Sequence, residues 1–466
     1  MQSQKNLPIT ASGRMMSSPD VLIPRLEALL GASAVRGSAA DLAAYAIGDC
    51  QPTVAVQPET AEQVVEVLSL AAREQWAVVP WGRGTQMHLG GMPARYDLAL
   101  SLAGLNRIVE YDAANLTLIA EAGAPLREAY RQSLPERQFL PLGFAGTQAS
   151  LGGLLATNTS GVKRARYGGL RDLLLGVKVA LPEGALVRFG GRVVKNVAGY
   201  DMNKLFVGSL GAFGVVLETC YRLAAMPEDD RLLAVVFPQL SQAVAAAAAV
   251  QASPLQPSAL MLLTAEAATA ARPLAVETDQ IALLLNVDGP HEAVERQLRD
   301  AEALCEQHGG RDTERISGEA LLSVWEARER WQAAPLASEP ARLQVQLGVL
   351  PSHLEAALRA LAVLPPFASG AVSWWTDYVH GQVVAHMPLG VSESGDWLRA
   401  VRAWLTQLRT QARGWHGYCN LTAAPPHLRR GLDMWGESSG DALLRLYKQQ
   451  FDPRAILNPG RSVAGL

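Results

Sequence analysis

The chain's chemistry is most legible where glycines crowd polar residues. Trp81-Gly82-Arg83-Gly84-Thr85-Gln86 directly follows the apolar run Ala77 to Pro80. Two glycines at that spacing turn the chain so that successive backbone N–H groups point into one concavity, a shape suited to a pyrophosphate. The turn is not a G-x-G-x-x-G fingerprint, because Met87 replaces the third glycine and no amphipathic helix follows; nor is it a Walker loop. A plain tight turn is the competing reading. Ser150-Leu151-Gly152-Gly153, running on to Asn158 and Gly161, is more specific. Paired glycines entering small residues let backbone lie against a flat ring, and Ser150 and Asn158 offer hydrogen-bonding groups. Two further glycine-rich stretches are Gly190 to Asp201 and Gly208-Ser209-Leu210-Gly211-Ala212-Phe213-Gly214-Val215. Ser209 is no nucleophile elbow, since Val207 occupies the first glycine position.

Other candidate chemistry is thinner. His380 and His386 flank Gly381 to Ala385, and two histidines without a third ligand read as strand-end residues rather than a metal site. Cys50, Cys220, Cys305 and Cys419 form no C-x-x-C pair, which excludes an iron–sulfur cluster or zinc ribbon built by this chain alone. A formal charge of −3 argues against a nucleic-acid binder. No signal-peptide core and no run of ~18 apolar residues is present, so a cytoplasmic protein without an integral membrane segment is expected. Peripheral contact with the inner face of the membrane stays open.

These residues need elements to hold them. Thr53 to Val56 reads as a strand, and Thr60 with Gln63 forms a capping box opening a helix through Val64, Leu68 and Ala72. Strands at Ala77 to Pro80, Asp97 to Leu102, Arg107 to Tyr111 and Leu116 to Glu121 follow, then a helix to Ser133. Beyond Pro227 a strand–helix–strand–strand–helix order runs from Leu232 to His308 and repeats from Arg342, ending in a strand at Asn420 to Ala424. The helical insert Gly318 to Trp331 joins the two. The expected organisation is a loose tail at 1–20, a binding domain at 21–226, a cap at 227–425 and a C-terminal segment, 426–466, returning to the first domain. The fold class is α+β, the cap an antiparallel sheet of duplicated ferredoxin-like units.

The Gly82 to Gln86 turn, Ser150 to Gly153, Lys195-Asn196-Val197-Ala198-Gly199-Tyr200-Asp201, Gly208 to Gly211 and the ending Asn458-Pro459-Gly460-Arg461 together resemble the FAD-binding domain of the vanillyl-alcohol oxidase, or p-cresol methylhydroxylase, superfamily. Within it the likeness is to the E-subunit family of glycolate oxidases. It covers Pro52 to Arg222 strongly, the tail well and the middle loosely. The resemblance implies that Gly82, Arg83, Gly84, Thr85 and Gln86 hold the FAD pyrophosphate. It places Pro141, Ser150, Gly152, Gly153, Asn158 and Gly161 along the flavin and ribityl chain, with Gly214 and Val215 closing on the cofactor. Relatives with covalent flavin carry histidine at the Thr85 position, so noncovalent FAD is expected.

For catalysis the resemblance is partial. Related D-type enzymes hold a metal through two histidines near a Gly-Asp-Gly-Asn segment and a later glutamate, and neither feature is present, so no metal is expected. Trp325-Glu326-Ala327-Arg328 resembles the stretch in which relatives place an arginine near the substrate carboxylate, and Arg342 could be a second cation. The same residues also read as a charged, solvated helix face. The implied function is the FAD-binding subunit of a 2-hydroxy-acid dehydrogenase, glycolate foremost, partnered by a D-type flavin subunit and an F-type iron–sulfur subunit. The alternatives are an electron-relay subunit that oxidises nothing itself, and a stand-alone alcohol or sugar-acid oxidase.

Overall fold

A computed structural model describes residues 18–142, 148–192, 200–271, 276–333, 341–363, 365, 367–390 and 397–466. Its first helix, Pro19–Leu30, is capped by the Ser18 hydroxyl, which accepts from the Asp20 N–H. Pro19 at the first helical position loses no bond, because that N–H would be unpaired anyway. The helix therefore takes in two residues assigned above to the tail.

The N-terminal domain contains two sheets around one core. The first consists of β1 (Val35–Arg36), β2 (Val54–Val56), β3 (Val78–Trp81) and β4 (Leu98–Ser101), in the order β1-β2-β4-β3. β4 is parallel to both of its neighbours, so β2 and β3 require a crossover. The Ala61–Glu74 helix supplies it: Thr60 accepts from the Gln63 N–H at 3.2 Å, and Val64, Val67, Leu68 and Ala71 are buried. The second sheet contains β5 (Ile108–Asp112), β6 (Thr117–Glu121), β8 (Leu174–Ala180), β9 (Leu186–Gly190) and β10 (Val215–Arg222), all antiparallel, in the order β5-β6-β10-β8-β9. A two-stranded ribbon of β7 (Gln138–Phe139) and β11 (Ala224–Ala225) leads out of the domain.

The cap is one eight-stranded sheet. Its strands are β12 (Asp229–Phe237), β13 (Ala259–Thr264), β14 (Ile281–Gly289), β15 (Arg311–Ser317), β16 (Arg342–Gly348), β17 (Ser373–Asp377), β18 (Gln382–Pro388) and β19 (Tyr418–Ala423). The order β15-β12-β14-β13-β17-β18-β16-β19 splits between β13 and β17 into two halves. Each half arranges its own four strands as 4-1-3-2, so the repeat seen in the sequence is a true duplication of architecture. β15 completes the first unit and was not expected, because its charged residues hide an edge strand that is mostly exposed on one side. Four helices, Leu240–Ala252, His291–Gln307, Leu354–Ala362 and Trp397–Gly414, bury Val250, Leu298, Leu358 and Leu405 against one face. The Gly318–Ala333 helix packs on the other through Leu321, Val324, Trp325 and Trp331.

Side-chain bonds join the two domains at both ends. Lys163 Nζ lies 2.8 Å from Asp288 and also pairs with Asp230, while Arg166 and Tyr167 reach Asp288 at 2.9 and 3.1 Å. At the other end Arg430 pairs with Asp49 at 2.8 Å. The tail crosses back: Lys448 Nζ donates to the Ala212 and Leu457 carbonyls and to Asp452, at 2.8, 2.7 and 2.7 Å. The Asn458 N–H then bonds the Val78 carbonyl.

Candidate active site

A cleft opens where β3 ends. Gly82, Arg83, Gly84, Thr85, Gln86 and Met87 form one wall, Ser150, Gly152 and Gly153 a second, and Gly214, Val215 and Val216 a third. Trp81 fixes the turn, its Nε1–H donating to the Tyr96 hydroxyl at 2.7 Å while that hydroxyl donates to the Tyr45 carbonyl at 2.8 Å. Gly84 has φ +77°, a backbone state that favours glycine. A side chain on Gly82 would meet Ser150 Oγ at 2.1 Å, so the two walls touch through the glycine. Gly152 packs against Ala122, where a Cβ would come within 2.5 Å of that residue's own Cβ. Gly153 instead faces the cleft.

The remaining expected contacts stand behind this lining. Asn158 ends the Leu151–Thr157 helix in a left-handed conformation, φ 51°. Gly161 runs against the Leu142 carbonyl, where a Cβ would overlap at 1.4 Å, and Pro141 is buried beside it. Lys195-Asn196-Val197-Ala198-Gly199 lies outside the described residues. Among the cleft residues not assigned from the sequence are two polar ones from the C-terminal segment, Asn458 and Arg461. Their signal was the Asn-Pro-Gly-Arg turn itself, which resembled the family ending but carried no role.

On the cap, the Gly318–Ala333 helix brings a second set of polar groups against the sheet. Glu326 and Arg330 are exposed and pair at 3.8 Å, the solvated face foreseen for this segment. Arg328 is on the other side, in the stripe Leu321, Val324, Trp325, Arg328, Trp331, whose apolar members are all buried. Its guanidinium carbon lies 5.7 Å from the Trp375 ring centroid, and its Nε–H has no acceptor. Burial lowers its pKa, and burial pushes the Glu329 carboxyl up to about 7. Arg342 is paired with Glu266 at 2.9 Å, its Nε–H also unpartnered.

The two histidines are separately engaged. His380 Nδ1 lies 2.8 Å from Asp377 in the β17–β18 turn. His386 is buried in β18, stacked on Trp331 with centroids 3.8 Å apart. Gln344 Nε2 donates to the Gln332 carbonyl at 2.7 Å and lies 2.9 Å from His386 Nε2, and Gln344 Oε1 accepts from the Thr422 hydroxyl at 2.9 Å. His386 Nε2 is then an acceptor, so its proton is on Nδ1, which meets no partner. Burial, then the nearby Arg342 charge, hold this imidazole down to about 3. Among the described residues no group of three or more histidines, cysteines or acids is placed to hold a metal.

A glycine-walled cleft thus lies beside a large antiparallel cap that carries two half-buried arginines, Arg328 and Arg342. Residues 52–190 match the FAD binding domain and residues 226–364 the C-terminal domain of FAD linked oxidases. The chain belongs to the FAD-linked oxidases and is an FAD-dependent oxidoreductase. It is 26% identical over 428 residues to the glycolate oxidase subunit GlcD of Bacillus subtilis, covering 89% of each chain. It is 27% identical over 426 residues to the D-2-hydroxyglutarate dehydrogenase of Xanthomonas citri, covering 88% of this chain and 89% of that one. The fold matches p-cresol methylhydroxylase with a TM-score of 0.70 at 16% identity, covering 96% of both chains.

The cleft fits FAD. The Gly82 and Gly84 N–H groups would be the donors for a pyrophosphate and the open side of Gly153 would take a ring, while Arg461 at the cleft carries two buried N–H groups, on Nε and Nη1, without acceptors.

Proposed function

We propose that the chain oxidises a small 2-hydroxy acid, glycolate to glyoxylate foremost, with noncovalent FAD in the cleft. Electrons leave to an F-type iron–sulfur subunit, in a complex that also holds a D-type flavin subunit. Arg328 carries the reading. Arg328 is half-buried, but its Nε–H is buried without an acceptor, a costly arrangement unless an anion meets it, and a 2-hydroxy acid brings a carboxylate that fits the guanidinium fork. The names of the relatives support the substrate class.

Bound FAD supplies the hydride acceptor. Arg328 would orient the carboxylate, and the Trp375 ring, 5.7 Å from the guanidinium carbon, covers one side of it. A hydroxyl proton must leave as the hydride does. His386 cannot take it at Nε2 while Gln344 donates there. Glu329, next to Arg328 and with a carboxyl near 7, is the titratable group at this helix poised to change charge at working pH.

The electron-relay reading has its own support. Leu421 and Thr422 occupy the region expected to supply the metal-binding carboxylate of a D-type enzyme, and both histidines are spent on Asp377 and Gln344. The purified chain, mixed anaerobically with glycolate, D-lactate or D-2-hydroxyglutarate, discriminates. Bleaching of the flavin band supports oxidation by this chain, and an unreduced flavin with all three supports the relay. Acid precipitation should release the yellow colour, since Thr85 offers no ring nitrogen for attachment.

A further inference from the structure

Two buried cations of the C-terminal segment meet no carboxylate among the described residues. Arg461 is 2% exposed and Arg429 6%. Arg461 spends Nη2 on the Met87 and Leu89 carbonyls, at 3.1 and 2.8 Å, and its Nε–H and Nη1–H have no acceptor. Arg429 gives Nη2 to the Gly90 carbonyl at 2.5 Å, and its Nε–H has no acceptor. Both thus grip one loop, Met87 to Gly90, from opposite ends of the C-terminal segment. Burial is the largest influence on both charges; beyond it Arg429 feels Cys50, and Arg461 feels Arg429, Tyr96 and Cys50, with no acid among them. His88, in the same loop, is held near 4 by burial and by the two guanidiniums, so it adds no charge.

The cavities they line adjoin. Arg461 lines the glycine-walled cleft; Arg429 lines an adjoining open pocket with Ala423, Pro425 and the Gly84, Thr85, Met87 and His88 side of the turn. Trp81, Gly84, Thr85 and Met87 line both. Two uncompensated cations are expensive to bury, and a dianion between them would offset that cost. FAD bound in the cleft would bring such a group to this turn.

We infer that Arg461 and Arg429 are together the counter-cations of the cofactor's pyrophosphate, so that FAD binding fastens the segment following the cap sheet to the N-terminal domain. The inference rests on FAD occupying the cleft. It separates from a purely structural role by sign. Neutralising either arginine should weaken FAD binding yet stabilise the FAD-free chain, because that chain carries the unpaired charge. Arginines needed only to brace loop carbonyls would, when lost, destabilise both forms.

The test uses the full chain stripped of FAD, as wild type, Arg429→Gln, Arg461→Gln and the two Lys versions, with FAD, riboflavin and inorganic pyrophosphate as probes. Each Gln variant should lose roughly ten- to a hundredfold in FAD affinity, the scale of a charged hydrogen bond, with riboflavin affinity unchanged. The Lys versions should recover part of the loss. Pyrophosphate should raise the melting midpoint of wild type and not of the Gln variants, whose FAD-free midpoints should lie above wild type. Equal loss of FAD and riboflavin, or a lowered FAD-free midpoint, would overturn the inference. Unchanged FAD affinity in Arg429→Gln alone overturns the pair and leaves Arg429 for another anion. A wild-type chain that binds neither FAD nor pyrophosphate would indict the cleft assignment instead.

Discussion

Arg328 and Glu329 are neighbours whose burial pushes their charges in opposite directions, and each yields a measurable consequence. If the guanidinium holds a substrate carboxylate, Arg328→Gln should keep its flavin and lose a charged hydrogen bond of about 1.5 to 3 kcal/mol. Substrate-dependent flavin reduction then weakens roughly 10- to 150-fold, with Arg328→Lys in between. Anaerobic stopped-flow on the three proteins reads this, and an unchanged substrate affinity in Arg328→Gln would remove the anchor. Glu329 predicts a pH slope in stability. A carboxyl raised from 4.5 to about 7 keeps its proton in the folded chain where the unfolded chain has released it. The folded state binds more protons across that window, so stability falls as pH rises from about 4.5 to 7. Glu329→Gln should flatten the slope and gain on the order of 1 kcal/mol at pH 8, the full shift being discounted for partial exposure. Urea unfolding at pH 5 and pH 8 measures it; an equal slope in both proteins would place the source elsewhere.

The start of the Leu151–Thr157 helix separates two glycines by function. Gly152 is pressed on Ala122 and its carbonyl, and Gly153 faces the cleft with only Ser150 Oγ near its Cβ position, at 2.8 Å. Gly153→Leu should therefore fold and melt near wild type when FAD-free, but take up little FAD because the side chain fills the ring's space. Gly152→Leu should fail earlier, by overpacking that costs about 1 to 3 kcal/mol or more. Flavin content and FAD-free melting together separate the two. The sequence singled out Ser150, Gly152 and Gly153 because they are contiguous, but not the helix they open. β15 was not legible beforehand, since an edge strand of alternating charges has little apolar pattern to read. The stripe through Arg328 lies between these cases: its spacing with Leu321, Val324, Trp325 and Trp331 was present in the sequence, but a charged residue at such a position is as easily a boundary as a buried cation.

Across the molecule, the two domains depend on a few polar ties. Lys163 is 6% exposed in its side chain and Asp288 fully buried, so Lys163→Met would leave Asp288 to Arg166 and Tyr167 alone and Asp230 without its cation. A loss of about 3 kcal/mol is expected from stranding buried charge. Adding Asp288→Asn should restore part of it, and thermal unfolding of single and double variants tests the coupling; additive losses would mean that the residues do not act together.

The glycine turns, the crossover helix with its Thr60 cap and the doubled strand order of the cap were determined by sequence alone, because each depends on residues close together or on a local period. Tertiary structure decided which charges matter. Arg328 left the solvated face, Arg342 found Glu266, His386 lay flat on Trp331, and Arg429 and Arg461 met at one loop although the cleft glycines stand hundreds of residues away. Burial and partnership of a charge depend on chain segments brought together only by the fold, and no local pattern encodes that meeting.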